Sequence, residues 1–271
     1  MGMLSLTLRE RPSQRVDLAP LSIDRLAGKS PAQVAAIELQ CGNRRVRVDA
    51  LFDIAGSFAA ELEIRNACDK LDRIGEGMSH GRLVVHGDAG AYVGAGMRGG
   101  QIQVHGNVGP YAGTGMRGGL LHVTGHAGDF LAAAIPGDPR GMQGGTIVIG
   151  GNAGDRAGDR MRRGTVLIEG NAGDYCAARM LAGTIAVAGR VGAFAGLAMR
   201  RGTLILERPP AEWVPTFNDC GEHRLGFLTL LARSWRNLPG RFAHVPDTRV
   251  RARRYVGDLA NDGRGEILVL S

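Results

Sequence analysis

Residues Met97 to Tyr111 read Met-Arg-Gly-Gly-Gln-Ile-Gln-Val-His-Gly-Asn-Val-Gly-Pro-Tyr, and this stretch decides the fold because the chain repeats it. The copies begin at methionines that are spaced by 19 residues, with one interval of 26: Met78, Met97, Met116, Met142, Met161, Met180 and Met199. A fixed period means that each copy buries its apolar side chains only against its neighbours. The period therefore predicts a stack of similar units.

Each copy carries a short alternating pattern. The positions five and seven residues after the methionine are apolar, which predicts a strand with one buried face. Glycines flank this strand, and they indicate corners where the backbone adopts conformations that other residues resist. A column of aromatic residues follows, with one break at Arg156: Tyr92, Tyr111, Phe130, Tyr175 and Phe194.

Nineteen residues with a strand and two glycine corners are too few for a repeat that contains a helix. The pattern predicts one coil of a parallel β-helix per repeat, with about seven coils in the stack. A left-handed hexapeptide helix prefers multiples of six, so this period favours a right-handed coil. The predicted fold class is all-β, a right-handed parallel β-helix with small mixed caps at both ends. The repeats also explain the 43 glycines among 271 residues without invoking disorder.

The composition changes on either side of the repeats. We predict a mixed α/β cap over residues 1–56, a glycine-rich β-helix over 57–208 and a helix and strand tail over 209–271. Ser30-Pro31 indicates a helix start, and Val16 is expected to return as a strand beside Leu4 to Leu8. Apolar residues between Phe227 and Leu238 predict a tail helix. This helix is expected to cover an outward apolar column: Val84, Val148, Leu167, Ala186 and Ile205.

The net charge of +7 and the pI near 9.8 suggest an acidic partner. No basic stripe with interleaved aromatic residues appears, so we do not predict nucleic-acid binding. There is neither a long apolar span nor a basic-then-apolar leader, so we expect a soluble, cytoplasmic protein without membrane contact. The cysteines are widely scattered and predict reduced thiols rather than a redox centre: Cys41, Cys68, Cys176 and Cys220.

Several motifs have a chemical and a structural interpretation. Gly94 to Gly99 matches a dinucleotide-binding pattern, but it coincides with the repeat boundary. His86 and His105 occupy one slot in successive repeats, with His122 nearby; they are either metal ligands or exposed polar residues. Aspartates in the turns either cap loops or supply an acid/base pair: Asp129, Asp138, Asp155, Asp159 and Asp174. We predict no catalytic, cofactor-binding or metal-binding residue in this chain.

Two features are candidate interfaces. The longer interval holds an insertion, Ile135 to Gly141, whose Pro136, Asp138 and Arg140 protrude either for partner contact or as a tolerated surface loop. A column of arginines follows the methionines: Arg98, Arg117, Arg162 and Arg200, thickened by Arg163 and Arg201. This edge is either solvated and balanced by the aspartates at 155, 159 and 174, or docked against an acidic partner.

The Met-x-Gly-Gly and Gly-x-x-Gly repeats resemble the glycine-rich right-handed β-helix shared by two families, the C-terminal domain of large glutamate synthase subunits and the C subunit of formylmethanofuran dehydrogenase. The flanks are similar to the dehydrogenase C subunit rather than to glutamate synthase. These flanks are Leu51 to Gly56, Arg73 to Met78, Tyr255 to Ala260 and Gly265 to Leu268.

The resemblance implies a non-catalytic scaffold in one-carbon metabolism. The archaeal complex reduces CO2 onto methanofuran with a tungsto- or molybdopterin subunit. The related bacterial formyltransferase/hydrolase complex moves a formyl group from formyl-tetrahydromethanopterin to a methanofuran analogue and releases formate. The resemblance implies hydrolase, formyltransferase and dehydrogenase-like partners, zinc in the partner hydrolase, and a glutamyl carrier tail that could meet the arginines.

The scarcity of lysine beside arginine favours the bacterial setting, since lysine enrichment is usual in hyperthermophiles. Lys29 and Lys70 are the only lysines. The alternative from another class is a free-standing β-helix enzyme that acts on a polyanionic substrate along the rod.

Overall fold

The computed structural model describes residues 3–57, 60–248 and 250–271, and its architecture is all-β with few short helices. A thirteen-stranded sheet dominates. Its strands are β1 (Leu4–Leu8), β5 (Phe52–Ala55), β6 (Glu61–Ala67), β8 (Arg82–Gly87), β9 (Gln101–His105), β10 (Arg117–Val123), β11 (Gln143–Ile149), β12 (Arg163–Ile168), β13 (Thr184–Val187), β14 (Thr203–Leu206), β15 (Asn218–Arg224), β16 (Arg251–Gly257) and β17 (Gly265–Leu270).

A four-stranded sheet lies in the N-terminal part of the chain. Its strands are β2 (Val16–Asp17), β3 (Glu38–Cys41), β4 (Arg44–Arg47) and β7 (Leu71–Asp72). The α-helices are α1 (Ile23–Leu26), α2 (Pro31–Ala35), α3 (Val48–Leu51) and α4 (Phe227–Trp235), and 3-10 turns span Ala19–Leu21, Arg241–His244 and Leu259–Asn261. None of the helices in the described ranges is long and apolar enough to cross a bilayer.

The repeats pair in parallel with their equivalent residues side by side. Ile102 lies opposite Leu121, and Leu121 lies opposite Ile147, so the longer interval does not change the strand register. A second parallel ladder of single bridges joins Ala89, Val108, Ala127, Ala153, Ala172 and Val191. The repeat therefore predicts the pairing of the strands correctly from β8 to β14.

The repeat methionines form a column in the core. All seven are fully buried. A Cβ atom added to Gly100, whose φ is +79°, would lie 2.6 Å from the Cε of Met78 and 2.7 Å from the carbonyl oxygen of Gly81. The methionine of one repeat thus packs beneath a glycine of the next, which explains why both residue types recur together.

The N-terminal region contains one prediction that is wrong. α2 begins at the predicted position with a capping box, where Ser30 and Gln33 satisfy each other's backbone N–H groups. Val16, however, does not pair with β1; β2 instead pairs with β3 and β7. Both edges of β1 are already occupied, by β5 and by β6, because its leucines continue the buried face of the repeats.

The tail covers the outer face of the later repeats, as predicted. Leu228 and Trp235 of α4 pack in one cluster with the column formed by Val148, Leu167, Ala186 and Ile205. Val84 is only partly buried and lies outside this cluster. β17 adds in parallel to β14, and β16 and β15 then follow in antiparallel pairing. The tail thereby extends the sheet beyond the last repeat.

Candidate interface on the arginine edge

The six predicted arginines are exposed and arranged by the backbone of the repeats. The N–H of Arg98 donates to the carbonyl of Met78 at 2.8 Å, and the N–H of Arg117 donates to Met97 at 2.7 Å. Arg162 and Arg200 make the same bond to the preceding repeat. Within the described ranges, none of the six side chains makes an ion pair or a hydrogen bond: Arg98, Arg117, Arg162, Arg163, Arg200 and Arg201.

The aspartates expected to balance this edge serve other purposes. Asp155 Oδ1 accepts from the N–H of Asp174 at 2.9 Å, and Asp174 Oδ1 accepts from the N–H of Ala193 at 2.8 Å. The buried Asp159 is held by Arg179, whose Nε donates to Oδ1 at 2.8 Å. Within the described residues, Asp155 and Asp174 each engage Oδ1 with a backbone N–H and Asp159 pairs with Arg179, so none of the three forms an ion pair with the arginine column. The two interpretations of this edge, solvated or docked against an acidic partner, stay predictions. The loop-capping interpretation is confirmed for Asp155 and Asp174.

The structure brings half of the arginine column together with the insertion. Arg98 and Arg117 line a groove of about 510 Å³ together with Ile135, Pro136, Asp138 and Arg140. We call it the first groove. The insertion is locally braced, since Asp138 Oδ1 accepts from the N–H of Arg140 at 2.9 Å. Two features that were independent in the sequence thus share one surface.

The other arginines line a second groove of about 670 Å³: Arg162, Arg163, Arg200 and Arg201. Leu181 and Ala182 lie between the two pairs, because the intervening repeat has no arginine after its methionine. Arg264 joins the cluster from the tail, where its N–H donates to the carbonyl of Arg200 at 2.7 Å. Sequence reasoning missed Arg264, whose only signal is its position before the final strand.

The aromatic column includes Arg156, which the sequence shows as its one break, and Arg73, which sequence reasoning did not include. Its members all have φ near +60°: Arg73, Tyr92, Tyr111, Phe130, Arg156, Tyr175 and Phe194. The rings of Tyr92 and Tyr111 stack at 5.3 Å between centroids. The guanidinium of Arg73 lies 5.1 Å from the centroid of Tyr92. The cation thereby extends the stack at its first end.

The histidines lie on the outer face of the large sheet. The rings of His86 and His105 stack at 5.2 Å, and His86 Nε2 lies 2.7 Å from Oε1 of the buried Glu63. Burial and the neighbouring His105 lower the pKa of His122. Among the described residues, no group of three or more histidine, cysteine, aspartate or glutamate side chains is arranged to hold a metal ion. Gly94 to Gly99 lies in the turns between β8 and β9 rather than before a helix.

Similarity to known proteins covers the chain to different extents. No family model matches it. It is 36% identical over 95 residues to the C subunit of the tungsten-containing formylmethanofuran dehydrogenase 2 of Methanococcus maripaludis. This alignment covers 34% of this chain and 35% of that protein. It is 40% identical over 88 residues to the C subunit of the formyltransferase/hydrolase complex Fhc of Methylorubrum extorquens, 32% and 33% of the two chains. The alignments thus span about a third of these curated relatives.

A solved structure matches over nearly the whole length. It is the X-ray crystal structure of the formyltransferase/hydrolase complex (FhcABCD) from Methylorubrum extorquens in complex with methylofuran. One chain of that complex is 39% identical to this chain with a TM-score of 0.93, and the match covers 98% of this chain and 99% of the other.

Proposed function

The chain belongs to the family formed by the C subunits of formylmethanofuran dehydrogenases and of formyltransferase/hydrolase complexes, and from this membership we propose that it is a scaffold subunit of a formyltransferase/hydrolase complex. The observation that carries the proposal is the near full-length match to a chain of the FhcABCD complex. Its partners would be the hydrolase, formyltransferase and dehydrogenase-like subunits. The complex would transfer a formyl group from formyl-tetrahydromethanopterin to a methanofuran-type carrier and hydrolyse it to formate.

The scaffold role is supported by how this chain uses its polar groups. The carboxylates at the repeat corners accept backbone N–H groups of the next repeat, and Glu63 is engaged by His86 and by Arg65 at 2.8 Å. These carboxylates are therefore bound into the stack. The arginine edge stays exposed, which suits association.

We infer that the stack closes into a right-handed parallel β-helix. Support comes from two separate parallel ladders along the 19-residue repeat, the strand ladder and the bridge ladder, which require each repeat to return onto its neighbour. The domain division proposed is a cap over 1–56, the helix over 57–208 and a tail over 209–271. An experimental structure of the chain will determine the hand.

The arginine edge is proposed to meet the carrier or an acidic surface of another subunit. The six arginines lack carboxylate partners among the described residues, so an anionic group from outside the chain would relieve their mutual repulsion. A glutamyl tail on a methanofuran-type carrier has suitable chemistry, and the similar complex was solved in complex with methylofuran. The second groove, lined by five arginines and by Asp262, is the site proposed for this tail.

Co-purification tests the scaffold proposal. The tagged chain, expressed in its own host, should retain the other subunits of the complex, and native mass spectrometry should give their stoichiometry. The isolated chain should show no turnover, whereas the complex should release formate from formyl-tetrahydromethanopterin. Turnover by the isolated chain on a polyanionic substrate would instead establish the free-standing enzyme.

The archaeal-type dehydrogenase is the second candidate, favoured by the 36% identity to the methanogen protein. Metal analysis of the purified complex distinguishes the two settings: we expect zinc in the hydrolase partner and no tungsten or molybdenum. Tungsten in the complex together with CO2 reduction would establish the archaeal-type activity. We also propose a cytoplasmic location, supported by the four free cysteines.

A further inference from the structure

The floor of the first groove is formed by three stacked glycines, Gly77, Gly96 and Gly115. Their φ angles are +69°, +63° and +61°. A Cβ atom added at Gly77 or Gly96 would meet no atom within 4 Å, and one added at Gly115 would lie 4.0 Å from its nearest neighbour. A side chain would therefore enter the open groove instead of colliding with the protein.

Later repeats show that the backbone at this position accepts side chains. Arg160, Arg179 and Ala198 occupy the equivalent positions with φ of 57°, 53° and 57°. The left-handed conformation alone therefore does not demand glycine here. The three glycines leave this part of the surface without side chains. They do so only in the repeats that line the first groove.

The two sides of this floor differ in chemistry. The arginine column follows the glycine position by two residues and supplies Arg98 and Arg117, which form no ion pair within the described part of the chain. The aromatic column precedes the glycine position by four residues and supplies Tyr92. Ile135 of the insertion, with 41% of its surface exposed, adds a second apolar side chain to the groove. Two ion pairs also line the groove, Arg73 with Glu76 at 3.0 Å and Arg140 with Asp138 at 3.9 Å. The cations of the groove that have no carboxylate partner among the described residues are therefore Arg98 and Arg117, and Ile135 is its exposed apolar side chain.

We propose that the first groove binds an extended segment of a partner protein of the complex in which acidic and apolar side chains alternate. The proposal rests on the scaffold function, which supplies the partner. Repeats stack about 4.8 Å apart, so the three glycines span about 10 Å, the length of roughly three residues of extended chain. Successive side chains of such a segment point to opposite sides. Carboxylates would face Arg98 and Arg117 while apolar side chains face Tyr92 and Ile135.

This pattern separates a protein segment from the glutamyl tail of a carrier. A uniform polycarboxylate matches the arginines but leaves the exposed Ile135 in contact with water or with charge. The ring of Tyr92 contributes less to this difference, because Arg73 and Tyr111 already lie against it. The second groove, which has five arginines around Leu181 and Ala182 and one carboxylate, that of Asp262, suits a uniform polyanion better. The two grooves therefore serve different occupants.

Filling the floor tests the proposal directly. The double variant Gly96→Gln with Gly115→Gln places two uncharged side chains in the groove, and Gly96→Ala with Gly115→Ala is the matched control with the same backbone cost. We expect the glutamine variant to bind the complex of the remaining subunits at least tenfold more weakly than wild type. The alanine control should stay within threefold, and both variants should melt at similar temperatures.

The charge of the groove is tested separately. Arg98→Gln with Arg117→Gln should weaken subunit binding at least tenfold at low salt and reduce its salt dependence. If the wild-type chain binds none of the other subunits, the scaffold function itself fails. If the wild type assembles and the glutamine-filled variant assembles equally well, the groove proposal alone is overturned. An increase in KM for the carrier with unchanged assembly would assign the groove to the carrier and also overturn it.

Discussion

The guanidinium carbon of Arg156 lies 4.5 Å from the ring centroid of Tyr175, at the position where the column of stacked rings is interrupted. Elsewhere in the column the rings contact one another, and the centroids of Tyr111 and Phe130 are 4.8 Å apart. At Arg156 a cation over an aromatic face takes the place of such a ring contact. Arg156 therefore extends the column from Tyr175 towards the insertion.

Two substitutions at Arg156 should separate the contribution of a cation to stability from that of an aromatic ring at the same position. Arg156→Ala should lower the free energy of unfolding by about 0.5 to 1 kcal/mol, because the contact with Tyr175 is lost. Arg156→Phe should stay close to wild type, since a ring at this position can stack on Tyr175. Denaturant unfolding of both variants measures this. Equal destabilisation by both substitutions would contradict the role assigned to the column.

The buried strand column should not accept a charge. Ile147→Asp or Ile168→Asp should cost about 3 to 5 kcal/mol, because both residues are fully buried and offer no partner for a carboxylate. The exposed Arg163→Gln on β12 is the control and should change stability by less than about 0.5 kcal/mol. A cooperative, near-wild-type melt of either aspartate variant would exclude the strand register described above.

Two glycines with similar backbone angles should respond differently to alanine. Gly100→Ala meets the strained φ, the Cε of Met78 and the backbone of His80 and Gly81, so we expect a loss of about 2 to 3 kcal/mol. Gly137 in the insertion has φ +89° with no atom within 4 Å of an added Cβ, so Gly137→Ala should cost about 1 kcal/mol. Thermal unfolding of the two variants measures the contribution of the close packing around Gly100, from Met78 and from the preceding repeat's backbone. Similar melting temperatures would refute it.

The buried carboxylate of Asp258 joins the tail to the last repeat, and we expect its contribution to the free energy of unfolding to be lost in acid. Asp258 accepts from the N–H groups of Ala198 and Ala260, from Nδ2 of Asn261 and from the hydroxyl of Thr216. Burial alone would raise its pKa, but these donors together hold the pKa below its ordinary value. The folded pKa thus lies below the unfolded value of about 3.9. The stabilisation is complete above that value and is lost as the pH falls through the folded pKa.

Asp258→Asn should reveal this contribution. The amide places an NH2 among groups that donate, so stability at pH 7 should fall by about 1 to 3 kcal/mol. Unfolding curves collected between about pH 7 and pH 3 should also be flatter for the variant than for wild type. An unchanged acid dependence would assign the effect to other carboxylates.

The arginine edge should respond to charge reversal without loss of the fold. Changing Arg162, Arg163, Arg200 and Arg201 to glutamate should leave the melting temperature of the isolated chain unchanged or higher, because like-charge repulsion with Arg264 is relieved. Assembly should weaken or KM for the carrier should rise. For the wild-type complex, the affinity that these arginines support, for the other subunits or for the carrier, should decline as salt increases. Unchanged assembly and kinetics across a salt series would mean that the edge is simply solvated.

The sequence by itself determined the repeating part of this protein. The period of the methionines, the alternating apolar residues and the flanking glycines describe which side chains are buried, and each repeat pairs only with its neighbour. Ile102 therefore meets Leu121 as the spacing predicts. The helix start at Ser30 was also predictable, because a capping box is formed by residues three apart.

Tertiary structure alone decided which distant parts meet. Val16 pairs with Leu71 rather than with β1, because both edges of β1 are occupied by strands that a local pattern does not identify. Arg264 reaches the arginine edge only because β17 continues the sheet beyond β14. Periodicity encodes which face of each strand is buried. The partner of a strand or loop outside the repeats depends on which sheet edges and surfaces the rest of the chain leaves open.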